Sequence, residues 1–204
     1  MDTYAKDKMA YHYSKHSANV TTEASSALAR TLSAASTVLL KNEDGVLPLK
    51  RSAKLAVIGL ADSENALTHS GGSGEVVPSF TATPLSSIKA YVGSAGTVTY
   101  DDGTDTAKSA AVAKAADVAV VFVGSLSHEG ADRADLTLNG GSPPIQSIKD
   151  QDALIDAVAA AQPNTVVVLT VPGAILTPWS PKVKGMLTNF MPGEIYHRAS
   201  TYMI

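Results

Sequence analysis

The chain has 204 residues, 45% of them hydrophobic and 17% charged, the proportions of a globular protein with one good core or two small ones. A net charge of −3 and a pI of about 5.9 leave no basic footprint for nucleic acid or an anionic membrane. The absence of cysteine excludes disulfides and thiolate metal sites and leaves the redox compartment open.

Residues 1–20 are polar, with Tyr4, Tyr11, Tyr13, His12 and His16 in no regular period, and read as a lead-in or tail to a domain at 21–204. Their start, M-D-T-Y-A-K-D-K-M, lacks the apolar stretch of a signal peptide, so the localisation is open. No apolar run approaches the roughly 20 residues that span a bilayer. The sequon Asn19-Val20-Thr21 has meaning only in a secreted protein.

Thr21-Thr22-Glu23 is a cap signal, and residues 24–40 have helical spacing. Ala27, Leu28, Leu32, Ala35, Val38 and Leu39 recur on one side, which predicts a buried face. Lys41 and Asn42 then lie just past a helix end, where a lysine suits the dipole and an asparagine suits a left-handed cap. Val46-Leu47-Pro48-Leu49 predicts a short extended piece, because Pro48 disfavours helix in the residue before it. Residues 54–60 (K-L-A-V-I-G-L) predict a strand, 84–92 a helix with proline in its first turn, 97–100 a strand and 106–116 an alanine-rich helix.

Val118–Val123 is an uninterrupted apolar run that stops at Gly124, the pattern of a strand covered on both faces. Residues 148–161 predict a helix with Leu154, Ile155 and Val158 on one side. T-V-V-V-L-T-V at 165–171 predicts another buried strand, and 185–190 a weaker one. Alternating strands and helices define an α/β fold, a mostly parallel sheet flanked by helices in three layers. Only fourteen residues follow the last strand, so the sheet reads as truncated at its C-terminal end. In such sheets ligands sit beyond the carboxyl ends of the strands, which is where Glu129, Asp132 and Arg133 fall after the run at 118–123.

Several stretches closely resemble the second domain of glycoside hydrolase family 3. They are V-L-L-K-N-E-D-G-V-L-P-L at 38–49, A-V-I-G at 56–59, S-G-G-S-G at 70–74 and E-G-A-D-R-A-D-L-T-L at 129–138. Gln151 with its helix, N-T-V-V-V-L at 164–169, Trp179 and N-F-M-P-G-E at 189–194 continue the likeness over about 170 residues. The resemblance implies a two-domain retaining β-glucosidase type of enzyme. A barrel domain, in cis or in trans, would supply an aspartate nucleophile, and Glu129 would be the acid/base on a loop of the sandwich. Retaining glycosidases need two carboxyls about 5–5.5 Å apart, and the acid needs a raised pKa from a site that dries when the domains meet. The sequence shows no counterpart of the barrel, since the roughly 35 residues before Val38 cannot form one.

Each candidate also has a plainer reading. Glu129 by position alone is a solvated loop carboxylate. Asp132 and Arg133 shape their own loop, or Arg133 contacts sugar. Lys41 and Asn42 cap a helix, or reach from a domain junction toward substrate. Ser73, in the loop at 70–74, lines a substrate edge or is merely flexible; the loop lacks both G-x-G-x-x-G directly after a strand and a G-K-[ST] ending, so no nucleotide is expected. His69 and His128 have no third ligand at metal spacing, and neither metal nor cofactor is expected. Trp179 reads as packing. The reading is therefore a β-glucosidase-like hydrolase of terminal β-linked glucosyl residues, acting on a β-glucoside or oligosaccharide. Its acid/base domain alone is expected to be inactive. The alternative is a non-catalytic remnant that binds sugar or another protein.

Overall fold

A computed structural model describes residues 21–73 and 80–193; the predicted lead-in at 1–20, Gly74 and Glu194 lie outside the described residues. The elements are α1 (Glu23–Ser36), β1 (Val38–Asn42), β2 (Lys54–Gly59), α2 (Pro84–Val92), β3 (Thr97–Asp101) and α3 (Thr106–Lys114). They continue with β4 (Val118–Gly124), α4 (Gln151–Ala161), β5 (Thr165–Thr170) and β6 (Gly185–Asn189). The six strands form one sheet in the order β1-β6-β5-β4-β2-β3. All neighbours are parallel except β1, which runs antiparallel to β6.

The central strands are apolar without alternation because both faces are covered. Val120, Val121, Val166, Val167 and Val168 are fully buried, and each such side chain stabilises the fold by roughly 1.5–3 kcal/mol. The helices start where short polar side chains accept the first free N–H groups. Thr83 does so ahead of Pro84, Asp105 ahead of α3 and Asp150 ahead of α4. Helices α3 and α4 pack on each other, and right-handed crossovers put α2 on the opposite face. The expected mostly parallel α/β fold is what the chain forms.

The strand order has one consequence for function. From β2 the chain crosses to β3 on one side, and from β4 it crosses to β5 on the other. The winding direction therefore reverses between β2 and β4, and in open α/β sheets the carboxyl ends of strands at such a reversal are where ligands bind.

The N-terminal part differs from its sequence pattern. Helix α1 ends at Ser36, and Val38–Asn42 is a strand whose Val38 pairs with Thr188 and Asn42 with Gly185. Hydrogen bonding to a strand far downstream outweighs the helical spacing of Val38 and Leu39. The predicted buried face of α1 is open instead: Leu28 and Leu32 are each 59% exposed, and Ser33 is the residue of this helix that is buried. Sequence 185–189, predicted as a weak strand, is β6 and is buried throughout. Its glycine explains the weak signal, since a Cβ at Gly185 would stand 2.9 Å from Val166 Cγ2.

Candidate active site

The two loops that leave β2 and β4 meet beyond the carboxyl ends of these strands. Gly71 and His128 form an isolated parallel bridge, the Ser127 N–H donates to Ser70 Oγ at 3.0 Å, and the Ser70 hydroxyl in turn donates to the Ser127 carbonyl. The contact demands glycine. A Cβ on Gly71 would lie 2.4 Å from His128 Cδ2, and one on Gly72 would lie 2.6 Å from Glu129 Cβ, at a φ of +120° that L side chains rarely adopt. The main chain beyond β6 joins the same loop, with the Gly193 N–H donating to the Thr68 carbonyl at 2.8 Å.

Glu129 stands exposed at the tip of the β4 loop. Its Oε2 accepts from the Ser73 N–H at 2.6 Å and from the Ser73 hydroxyl at 2.5 Å. The Ser73 hydroxyl, then its N–H, and to a smaller extent the charge of His128 hold the carboxyl below its ordinary range against a slight opposing effect of burial. This is the reverse of the raised value expected of a general acid. Charge-assisted hydrogen bonds favour the ionised form, and in the chain by itself no dry pocket offsets them. Ser73 is thus on the carboxylate of Glu129.

Gln151, at the start of α4, fastens the root of the loop. Its side chain is buried and accepts from the Gly124 N–H at 2.9 Å. It also donates to the Gly124 carbonyl at 2.9 Å and to the Leu138 carbonyl at 3.1 Å. Both ends of the excursion from β4 are held by one amide. Sequence reasoning marked Gln151 within a motif without seeing this role; a glutamine just after an aspartate helix cap was the available signal.

Arg133 is partly buried on the same loop, and its Nη1 is buried with no hydrogen-bond partner. Asp135 accepts from the Thr137 N–H at 2.7 Å and from the Thr137 hydroxyl at 2.6 Å. These bonds, with the nearby charge of Arg133, hold Asp135 below the usual carboxylate range. The loop is shaped by an Asx-type turn at Asp135.

The other two candidates are elsewhere. Lys41 and Asn42 end β1, and Asn42 pairs with Gly185 at the amino-terminal edge of the parallel strands, the rim opposite Glu129. Lys41 Nζ donates to the Ser180 carbonyl at 2.8 Å and pairs with Glu43 at 3.2 Å. The Asn42 side chain exchanges two hydrogen bonds with the main chain of Leu47, both at 3.0 Å. They close a turn after a strand rather than cap a helix, and the fold does not bring them to Glu129. Trp179 is buried and donates to Asp152 at 2.7 Å. Among the described residues no group of three or more His, Cys, Asp or Glu side chains is placed to hold a metal ion.

The chain is thus a doubly wound α/β domain in which the loops after β2 and β4 bring Ser73 and Glu129 together beyond the carboxyl ends of the strands. Residues 37–203 match the glycosyl hydrolase family 3 C-terminal domain. The chain belongs to that family. It is 34% identical over 201 residues to the thermostable beta-glucosidase B of Acetivibrio thermocellus, a match that covers 91% of this chain and 25% of that protein. It is also 34% identical over 183 residues to an exo-alpha-(1->6)-L-arabinopyranosidase of Bifidobacterium longum, covering 78% of this chain and 22% of that protein. The crystal structure of a family 3 beta-glucosidase from Neurospora crassa superposes with a TM-score of 0.76 at 29% identity, covering 88% of this chain and 24% of that one. The chain thus spans about a quarter of the length of these relatives.

Proposed function

We propose that this chain is the acid/base half of a retaining β-glucosidase, with Glu129 as the group that protonates the leaving oxygen and later deprotonates water. The observation that supports this reading most is the position of Glu129 on the loop beyond the carboxyl end of β4, one of the two strands between which the winding reverses, in a domain of this family. A terminal β-linked glucosyl residue is the substrate we favour. An arabinopyranosidase stands among the relatives, so the sugar itself is part of what the assay below must establish.

The attacking carboxylate is assigned to a barrel domain, in cis or in trans, packed on the same rim. Leu136 (45% exposed), Leu176 (54%) and Phe190 (50%) lie on the chain beyond β4, β5 and β6, and such an apolar rim favours a partner. Covering it would remove water from Glu129, and that desolvation acts to raise the carboxyl's pKa against the opposite pull of Ser73. Acid catalysis contributes on the order of 10²–10⁴, so the chain without its partner has negligible turnover.

The test is hydrolysis of cellobiose and of p-nitrophenyl β-glucoside by the chain alone and together with a family 3 barrel domain, wild type and Glu129→Gln. Activity is expected only with the barrel. The substitution should cost cellobiose hydrolysis roughly 10²–10⁴, and the aryl glucoside less, because its leaving group needs less protonation. Unchanged cellobiose hydrolysis in Glu129→Gln would remove the role from this residue. Binding of sugar with no turnover in any combination would favour the non-catalytic alternative.

A further inference from the structure

We propose that Ser73 is a positioning residue for Glu129: its N–H and hydroxyl together hold Oε2, which leaves Oε1 as the oxygen that gives up and takes back the proton. The inference rests on the acid/base reading of Glu129 and deepens it. A neutral carboxyl has one carbonyl oxygen, which accepts hydrogen bonds well, and one hydroxyl oxygen. A main-chain N–H can only donate. With that N–H at 2.6 Å from Oε2 and a hydroxyl at 2.5 Å from the same atom, Oε2 remains the acceptor in both protonation states. The proton is therefore confined to Oε1.

The anchor is built rather than incidental. The β2 loop cannot retreat from or slide along the β4 loop without breaking the Gly71–His128 bridge and the contacts between Ser70 and Ser127. Nor is there space for a side chain at Gly71 or Gly72 to wedge between them. Among the described residues the titratable side chain whose charge acts on the carboxyl is His128, and its ring Nδ1 lies 2.6 Å from the Glu129 carbonyl oxygen, so the ring is engaged on the main chain.

In a retaining cycle one carboxyl acts as acid in the first half and as base in the second. With Oε2 fixed, the Oε1 proton passes to the glycosidic oxygen as the bond to the anomeric carbon breaks and the opposing carboxylate attacks. In the second half the incoming water returns a proton to Oε1 as its oxygen bonds to that carbon and the bond from the carbon to the opposing carboxylate breaks. The same oxygen faces the substrate twice.

The experiment is a carboxyl-carbon NMR titration of the ¹³C-labelled chain, with Glu129 assigned through Glu129→Gln. Ser73→Ala removes the hydroxyl donor and keeps the N–H, and it should move the Glu129 midpoint upward. Ser73→Thr keeps both donors and should superimpose on the wild type. The Ser73 amide proton should titrate with the Glu129 midpoint and become flat in Glu129→Gln. A midpoint unmoved by Ser73→Ala, or a Ser73 amide indifferent to Glu129→Gln, overturns the proposal. No hydrolysis enters the measurement, so the hydrolysis assay alone decides the acid/base role.

Discussion

Gly72 presses on Glu129: an added Cβ would lie 2.6 Å from the glutamate Cβ and 3.1 Å from its Oε2. Gly72→Ala must therefore push the β2 loop off the β4 loop, and a left-handed alanine adds strain of about 1–2 kcal/mol. In a barrel-complemented enzyme, a displacement of this size should lower hydrolysis on the order of 10²-fold. The far-ultraviolet circular dichroism should be unchanged, because Gly72 lies in no helix or strand. Wild-type hydrolysis by Gly72→Ala would show that the contact is not needed.

Gln151→Leu tests the root of the site. The substitution fills similar space but strands the N–H and carbonyl of Gly124 and the carbonyl of Leu138, all buried partners of the glutamine. Leaving buried polar groups unpaired costs roughly 1–3 kcal/mol each before relaxation, so a loss of about 3 kcal/mol is expected in urea unfolding. A loss below about 0.5 kcal/mol, within the range of ordinary surface changes, would contradict the role assigned to this amide.

The end of β3 makes stability depend on acid. Asp101 is buried, and burial alone would raise its pKa. Lys108 at 2.7 Å, the Ser109 hydroxyl at 2.6 Å and the Gly103 N–H at 3.1 Å outweigh burial and hold it below the usual range. A carboxyl depressed in the folded state stabilises the fold above its unfolded pKa. That stabilisation is lost as the pH falls below about 4 toward the depressed folded value. Wild type should thus lose thermal stability more steeply between pH 5 and 3 than Asp101→Asn. Parallel curves for the two proteins would show that Asp101 does not drive the acid transition.

Leu28→Ser with Leu32→Ser should leave unfolding within about 0.5 kcal/mol per site of the wild type, because both side chains are already exposed. A face packed on the sheet would lose 2–5 kcal/mol for each leucine truncated. Thermal melts distinguish the two, and a large loss would mean that α1 is covered.

The sheet was legible from sequence because its central strands are apolar on both faces, a pattern few other structures produce; Val118–Gly124 and Thr165–Thr170 are the clearest cases. The placement of Glu129 on a loop beyond the carboxyl end of such a strand was legible from the run that precedes it. What was not legible depends on pairing across long distances. Val38 and Leu39 satisfy a helical period as well as they satisfy β1, and only the partner strand β6 decides between them. Ser73 and Glu129 lie far apart in the chain, and nothing local says that the serine points at the glutamate. Lys41 and Asn42 read as residues just past a helix end or at a domain junction, and the antiparallel course of β1 puts them at the rim opposite Glu129.

That one reversed strand also governs how the molecule can be joined to another. Because β1 runs against its neighbours, Val38 lies beside Thr188 near the carboxyl end of β6, on the glutamate's side of the sheet. Helix α1 therefore enters the sheet from that rim, and any segment joined ahead of it starts from the helix rather than from the sheet edge. Had β1 run the other way, α1 would have met the sheet at the opposite rim.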